Sequence, residues 1–206
     1  MSKTNRCGEK GIATTEQLEN ELRRVRFKDR YARVLRSTVY ALVITAAVCV
    51  LIASLIMPVL QIYGTSMSPT VNEGEIVVAL KGSDFQCGEV VVLSYNNKLL
   101  VKRVIAGPAQ WVDIDLDGNV YVDGELINEP YLQEKAYGDC TLELPYQVPD
   151  GRYFVLGDNR ATSQDSRNTI VGCIADEQIV GKAIFRVWPL SRVSRLNNED
   201  YVPQEN

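Results

Sequence analysis

The 206-residue chain contains no histidine. A Ser-His-Asp or Cys-His hydrolase therefore cannot be assembled from this chain alone. Zinc enzymes are also disfavoured, because imidazole is the commonest metal ligand in proteins, and we predict no metal site. Any acid–base chemistry must come from Asp, Glu, Lys, Tyr or Cys side chains.

Charge is missing from one long stretch, since no Asp, Glu, Lys or Arg lies between Arg36 and Glu73. Residues 39–60 are almost wholly apolar, and about 20 helical residues cross the roughly 30 Å hydrocarbon core of a bilayer. Residues 1–36 carry ten Lys or Arg against five Asp or Glu, whereas residues 37–206 carry 12 against 21. The positive-inside rule then predicts a single-pass cell-membrane protein with a cytoplasmic N-terminus and an extracytoplasmic domain.

We predict four segments along the chain. Residues 1–36 form a cytosolic basic segment that is helical from about Thr15, with a capping box between Thr14 and Gln17. Residues 37–61 form a transmembrane anchor whose helix ends near Pro58. Residues 62–196 form an extracytoplasmic β-rich domain, and residues 197–206 form a polar tail.

Three other interpretations of the basic and apolar segments are disfavoured. A cleaved signal peptide has a shorter charged region and an apolar run of only about 7–15 residues. A buried core helix that is apolar on every side needs a large protein around it. The basic cluster adjoins the membrane segment, so membrane topology explains it and we expect no nucleic-acid partner.

Cysteine is scarce, with five residues and no CxxC spacing. The predicted topology places Cys7 in the cytosol and Cys49 within the membrane. Cys87, Cys140 and Cys173 would lie outside, and no pairing among these three can be deduced.

The region from residue 76 onward reads as short strands separated by turn residues. Runs typical of β-strands occupy 75–80, 89–93, 99–105, 120–122, 151–156 and 181–188, and a short helix is expected at 175–179. Two turn signals, at 117–119 and 123–124, flank the fourth run and predict a tight meander. We therefore predict a mainly β fold, with an antiparallel β-sheet domain of about 140 residues outside the membrane.

Three segments carry candidate chemistry. The first, residues 63–70, offers the hydroxyls of Ser66 and Ser68 as nucleophiles, although Gly, Ser and Pro also form ordinary turns. The second contains Lys102, which lies in the most apolar predicted strand beside Arg103. Because adjacent strand residues point to opposite faces, one of these two cations must face the interior or a cleft. Burial would lower the pKa of such a lysine toward the range of a general base, whereas an edge-strand lysine would only deter aggregation.

The third segment, residues 157–167, combines two acids, two arginines and two serines in eleven residues. Its density of Asp and Arg residues indicates an ordered, cross-braced loop more than a mobile one. A serine nucleophile needs a neighbouring base. Without histidine, lysine is the best candidate, and the Ser-Lys pair is a recognised variant of the catalytic triad.

The three segments resemble, in order and spacing, the conserved boxes of bacterial type I signal peptidases (leader peptidases). The matching stretches are Ser66-Met67-Ser68-Pro69-Thr70, Lys102-Arg103-Val104-Ile105, and Gly157-Asp158-Asn159-Arg160 continuing through Ser163, Asp165 and Arg167. Gly74-Glu75-Ile76-Val77 and Glu129-Pro130-Tyr131-Leu132 also fit. One departure is Pro108-Ala109-Gln110, where the family often has Pro-Gly-Asp. The resemblance runs from the apolar segment to about Pro189 and implies the signal-peptidase (LexA-like) β fold.

The resemblance implies specific roles for these residues. It makes Ser66, and not Ser68, the nucleophile and Lys102 the general base, with Ser163 orienting the lysine. It gives supporting roles to Asp158, Arg160, Asp165, Arg167 and Arg103. The Ser66 backbone N–H would hold the oxyanion, without the hydroxyl that some relatives carry at the position of Gly64. Leu60, Ile62, Met67 and Val101 would line small apolar pockets for the −1 and −3 residues of a substrate.

The function implied by the resemblance is cleavage of signal peptides from secretory preproteins at the bilayer surface. It requires no cofactor, and it allows proximity to the secretion translocon. Three alternatives stay open from the residues. One is a specialised or inactive homologue that binds preproteins or pilins. The others are a self-cleaving Ser-Lys repressor, which would need a DNA-binding head, and a non-enzymatic membrane-anchored β-domain.

Overall fold

The computed structural model describes residues 15–196, and its one α-helix, α1, spans Thr15–Ile56. The helix begins where the sequence predicts. Its stretch Arg26–Ile56 is the one helix in this range that is long and apolar enough to cross a membrane. Side chains 39–56 are exposed, and the helix ends before Pro58, which disfavours helical backbone in the preceding residue. Thr14, Cys7 and the predicted tail lie outside the described residues.

Twelve strands follow the helix. In chain order they are β1 (Val59–Gln61), β2 (Ile76–Lys81), β3 (Val90–Tyr95), β4 (Lys98–Ala106), β5 (Trp111–Ile114), β6 (Val120–Val122), β7 (Glu125–Leu126), β8 (Tyr146–Gln147), β9 (Arg152–Leu156), β10 (Ile174–Ala175), β11 (Ile179–Trp188) and β12 (Ser194–Arg195). The predicted helix at 175–179 is a single 3-10 turn, Asp176–Gln178. Because Val59–Gln61 pair with β2, the last residues of the predicted anchor are strand residues.

The strands form two antiparallel sheets, which confirms the predicted fold class. The larger sheet has the order β1-β2-β11-β3-β4-β9-β10, with β12 paired to β11, and the smaller has the order β7-β6-β5-β8. The two predicted turns join β5 to β6 and β6 to β7. Gly118, Asp123 and Gly124 have positive φ there, as tight hairpin turns require.

Strand β4 lies between β3 and β9, and its second half is buried on both faces. Val104 packs in a cluster with Val91 and Val155, whereas Ile105 packs in another with Phe154. A central strand covered on both faces has no solvent-facing positions in that half. The two adjacent cations in this half of β4, Lys102 and Arg103, are therefore enclosed together.

The departure at residues 108–110 has a local structural counterpart. Ala109 has φ +66°, a left-handed conformation that glycine adopts without strain. The Gln110 side chain accepts a hydrogen bond from the Gly107 N–H at 2.8 Å and donates one to Asp123 at 3.0 Å. Glutamine therefore supplies the local hydrogen bonding of this turn, while alanine leaves it strained.

Candidate active site

Lys102 is in direct contact with the 157–167 loop, and the same loop is bonded to the segment that contains Ser66. The Lys102 side chain is only 4% exposed, and its Nζ donates a hydrogen bond to Ser163 Oγ at 2.8 Å. Burial lowers the pKa of the Lys102 amine. Asp165 and Asp158 oppose that shift, and Arg167 adds to it, so the pKa lies below its ordinary value. Lys102 is therefore a buried amine whose neutral form is favoured relative to a lysine in water.

Arg103 is buried as well, whereas the strand argument required only one of the two cations to face inward. Its guanidinium bonds both carboxylate oxygens of Asp158, at 2.9 and 2.6 Å, and donates to the Gly88 carbonyl. Neither side chain of this pair is accessible to solvent. A bidentate pair fixes two groups in one orientation, so it joins strand β4 to the 157–167 loop directly beside Lys102.

Asp165 and Arg167 form a second buried pair inside the loop. Arg167 binds Asp165 through Nε and Nη2, both at 2.9 Å, and also donates to the carbonyls of Tyr137 and Arg160. Burial alone would raise the pKa of the Asp165 carboxyl. The Arg167 guanidinium and the Gly157 N–H outweigh burial, so this pKa lies below its ordinary value. Asp165 therefore remains an anion near Lys102.

Gly157 lies at a close approach between the loop and the candidate nucleophile segment. A Cβ placed on Gly157 would meet the Ser66 carbonyl and lie 2.6 Å from Ser163 Cβ. The Asn159 N–H donates to the Ser66 carbonyl at 3.0 Å, and the Ser163 N–H donates to the Asn159 carbonyl at 3.0 Å. The backbone of Ser66 is thus tied to the loop that carries the hydrogen-bond partner of Lys102.

Ser66 and Ser68 differ in their hydrogen bonding. Ser68 Oγ donates to the Asn72 side chain at 2.8 Å. Among residues 15–196, neither Oγ nor the backbone N–H of Ser66 has a hydrogen-bond partner. Ser66 is half-buried, so it presents an unengaged hydroxyl and an unengaged N–H at the surface of the site.

A cavity of about 490 Å³ opens beside Ser66. Its lining combines β1 and the residues after it with the first half of β4, and includes Leu60, Ile62, Met67 and Val101 together with Ser66. The structure therefore brings together the four residues expected to line an apolar pocket and the candidate nucleophile.

Glu129 and Tyr131 belong to one of the stretches that resemble the family, but the sequence assigns them no role in the site. The Glu129 carboxylate binds Arg160 through both of its oxygens and accepts a hydrogen bond from Tyr131 Oη at 2.6 Å. The Arg103 guanidinium stacks on the Tyr131 ring, with Arg103 Cζ 3.7 Å from the centre of the ring. Glu129 and Tyr131 thus bridge the loop arginine to the arginine beside Lys102, a connection for which the sequence carries no spacing signal.

Glu75 and Arg186 brace the chain just after Ser66, a contact that no sequence pattern predicts. Glu75 accepts hydrogen bonds from the Asn72 N–H at 3.0 Å and from Arg186 at 3.1 Å, and Arg186 also donates to the Thr70 carbonyl. Arg186 lies on β11, 111 residues away from Glu75, so only the tertiary fold brings them together.

Within the described part of the chain, no group of three or more Cys, Asp or Glu residues is arranged to hold a metal ion. The cysteines in this part, Cys49, Cys87, Cys140 and Cys173, are free.

Comparison with known proteins agrees with the sequence resemblance. Residues 35–188 match the family model described as signal peptidase, peptidase S26. The chain is 36% identical over 166 residues to signal peptidase I of Bacillus amyloliquefaciens, covering 75% of this chain and 89% of that protein. It is 36% identical over 182 residues to signal peptidase IB of Staphylococcus aureus, covering 79% and 94%.

A crystal structure of a signal peptidase I from Enterococcus faecalis was also matched. It is 28% identical, with a TM-score of 0.41, and the match covers 48% of this chain and 97% of that one.

Proposed function

Because this chain belongs to the signal peptidase family, peptidase S26, we propose that it is a membrane-bound serine endopeptidase that removes signal peptides from secreted preproteins, with Ser66 as nucleophile and Lys102 as general base. The observation that carries the assignment is the buried Lys102 amine, with its lowered pKa and its hydrogen bond to Ser163. A histidine-free site needs a base of this kind.

The reaction begins with neutral Lys102. Its amine takes the Ser66 hydroxyl proton while Oγ bonds to the carbonyl carbon of the −1 residue. The peptide C–N bond then breaks, the Lys102 ammonium protonates the leaving amine, and an acyl-enzyme remains. Water attacks this ester, Lys102 accepts the proton of the water, and Ser66 Oγ recovers a proton as the signal peptide leaves. No cofactor enters these steps.

The Ser66 N–H is the proposed donor to the oxyanion. Its support is that this N–H has no acceptor within residues 15–196, as a donor reserved for a transient charge requires. The residue two positions earlier is Gly64, which brings no hydroxyl.

The apolar cavity beside Ser66 is the proposed binding site for the −1 and −3 residues. The part of its lining formed by Leu60, Ile62, Met67 and Val101 is apolar and favours small aliphatic side chains, because a charged group buried against these residues would lose its hydration. Cleavage is therefore expected after small residues at both positions.

The buried ion pairs are proposed to position the site, and none of their members touches the reacting atoms in this scheme. Arg103 and Asp158 fix the loop to β4, and Asp165 and Arg167 shape the loop around Ser163. Arg160 anchors the same loop to Glu129. Together they hold Ser163 where it orients the Lys102 amine.

The proposed topology places residues 1–36 in the cytoplasm and residues 62–196 outside, with the apolar part of α1 as a single-pass anchor. Tyr63, Trp188 and Leu190 are 80%, 51% and 76% exposed. The register pairs Gln61 and Trp188 with the same residue of β2, which places these exposed side chains toward one end of the sheet. Large exposed apolar groups support contact of this end with the bilayer, where the catalytic domain would meet preproteins leaving the secretion translocon.

Cleavage of a secretory preprotein by the detergent-solubilised full chain tests the assignment. Ser66→Ala and Lys102→Ala should each abolish cleavage at a small-x-small site. Ser68→Ala should leave cleavage measurable, because the Ser68 hydroxyl donates its hydrogen bond to Asn72. Protease treatment of intact spheroplasts tests the topology, since the β domain should be digested and a tag on the N-terminus protected.

Two other outcomes would favour the alternatives. A folded wild-type chain that binds several preproteins without cleaving them would indicate a specialised or inactive homologue. Precursor processing in cells that is unaffected by Ser66→Ala would indicate a non-enzymatic β-domain.

A further inference from the structure

A second, polar cavity lies next to the nucleophile segment and has no part in the mechanism above. It has a volume of about 160 Å³, and its lining includes Ser68, Gln133, Glu134, Asp158 and Asn159. Hydroxyl, amide and carboxylate groups dominate this lining, in contrast to the apolar cavity beside Ser66. A space of this size accommodates one side chain of a peptide.

The two cavities lie along one short stretch of the chain. The apolar cavity is lined by Ser66 and Met67, and the polar cavity by Ser68, the next residue along the chain. Asn159, which also lines the polar cavity, donates its N–H to the Ser66 carbonyl at 3.0 Å. A peptide whose scissile bond lies at Ser66, with its preceding residues in the apolar cavity, must continue away from that cavity. The polar cavity is connected to Ser66 through Ser68 and Asn159, and it offers a place for the residues after the bond.

The charge of the polar cavity comes from one residue. Asp158 is neutralised by its bidentate pair with Arg103. Glu134 is exposed and has no hydrogen-bond or ion-pair partner in the described range 15–196. The amine of the next residue, Lys135, is engaged with Asn119 at 2.7 Å. Glu134 therefore gives the cavity an uncompensated negative charge.

We propose that this cavity binds one of the first residues of the mature protein and that Glu134 is a specificity-determining residue, favouring a lysine or arginine side chain there over an acidic one. The proposal rests on the function proposed above, since it concerns the other half of the same substrate. It adds a preference on the side of the scissile bond that is released as the secreted product.

The size of the preference follows from the exposure of Glu134. Exposed ion pairs contribute about 0.2–1 kcal/mol, which corresponds to roughly 1.5- to 5-fold in kcat/KM. The preference should shrink in 1 M salt, where the screening length is about 3 Å. A preference that persists in high salt would point to shape or hydrogen bonding in place of charge.

The test uses the detergent-solubilised full chain and preprotein substrates that are identical up to the −1 residue. Lys, Gln or Glu is placed in turn at each of the first three positions after the scissile bond. At one position, the wild-type chain should cleave the Lys substrate about two- to fivefold faster than the Glu substrate, measured as kcat/KM at low salt. Glu134→Gln should bring this ratio to about one, and Glu134→Lys should invert it.

Glu177→Gln is the matched control, because it removes an exposed carboxylate from the distant 3-10 turn. It should leave the Lys-to-Glu ratio as it is in the wild type. A wild-type ratio near one at all three positions, or a ratio that Glu134→Gln does not change, would overturn the proposal while the Gln substrate is still cleaved. Failure to cleave any substrate would overturn the proposed function itself, and this inference with it.

Discussion

The side chains of Lys102 and Ser163 meet at 2.8 Å although 61 residues separate them along the chain. Lys102 lies on a central strand and Ser163 on a loop held by three buried arginines. Burial lowers the pKa of Lys102, and the hydrogen bond to the Ser163 hydroxyl fixes the position of its amine. The contact therefore joins the two requirements of a general base, a low pKa and a defined orientation.

Removal of the Ser163 hydroxyl should affect the chemical step more than substrate binding. Ser163→Ala should lower kcat by about 100-fold, the scale of a misplaced catalytic group, with little change in KM. Because Ser163 Oγ accepts a hydrogen bond from the ammonium form, its loss should also lower the Lys102 pKa and move the acid limb of the kcat/KM profile to lower pH. Ser163→Thr should recover part of the rate. An unshifted acid limb and an unchanged kcat would show that Ser163 serves folding alone.

Lys102→Met should stabilise the protein at neutral pH while abolishing activity. In the folded protein the pKa of Lys102 lies below its ordinary value, whereas a lysine in the unfolded chain has a pKa of about 10.4. Between these two pKa values the unfolded chain binds more protons, so wild-type stability rises with pH by up to about 1.4 kcal/mol per unit. The methionine variant lacks this contribution.

Thermal unfolding of both proteins in detergent at pH 7 and pH 10 would measure the difference. The advantage of the methionine variant should be larger at pH 7 and should shrink toward pH 10. The same pH slope for both proteins would contradict the burial-lowered pKa.

Gly157→Ala should lower the rate of cleavage by disturbing the contact between the loop and the segment that contains Ser66. A Cβ at this position meets the Ser66 carbonyl and the Ser163 side chain, so it must push apart the segment of the proposed nucleophile and the residue that orients the proposed base. We expect a loss of at least about 100-fold in kcat/KM. Gly107→Ala is the matched control, because its added Cβ has only ordinary contacts, the nearest at 3.6 Å. Equal activities of the two variants would refute the close approach.

Asp158→Asn should be strongly destabilising. The change leaves the fully buried Arg103 guanidinium without a counter-charge, which typically costs about 3–5 kcal/mol. Arg192→Gln, which removes the 59% exposed partner of Glu75, should cost less than about 1 kcal/mol. Urea unfolding of the two variants would compare these costs, and similar values would mean that Arg103 finds another partner.

Ala109→Gly should raise stability without changing the rate of cleavage. Ala109 has φ +66°, a conformation that costs an L-residue about 1–2 kcal/mol. Part of that gain is offset by the greater freedom of glycine in the unfolded chain, so we expect about 0.5–1 kcal/mol. Ala175→Gly, at φ −72°, should be destabilising instead. A loss of stability in Ala109→Gly would show that the strain is relieved elsewhere.

The sequence predicts the long strands well, because β2, β3, β4, β9 and β11 consist of β-branched and aromatic runs bounded by turn residues. It predicts the β6 hairpins from Asp-Gly signals. Strands of two to four residues, such as β5 and β8, carry too little pattern to be distinguished from loops, and they exist because neighbouring strands pair with them.

For the site, the motifs predict which residues belong to it, but they do not predict which of these residues are buried or which contacts they make. The strand pattern requires one buried cation, yet Arg103 is buried as well as Lys102, because both faces of the second half of β4 are packed against other side chains. The roles of Glu129 and Glu75 depend on arginines 31 and 111 residues away. No local spacing encodes such distances.

The position of β11 in the sheet sets an order on the folding of a nascent chain. β11 follows β2 and β3 along the chain, yet it lies between them, and its Arg186 braces the chain after Ser66. A nascent chain on the ribosome cannot close the large sheet until residue 188 has been added. The brace on the segment that holds Ser66 therefore forms only after β11 has been made.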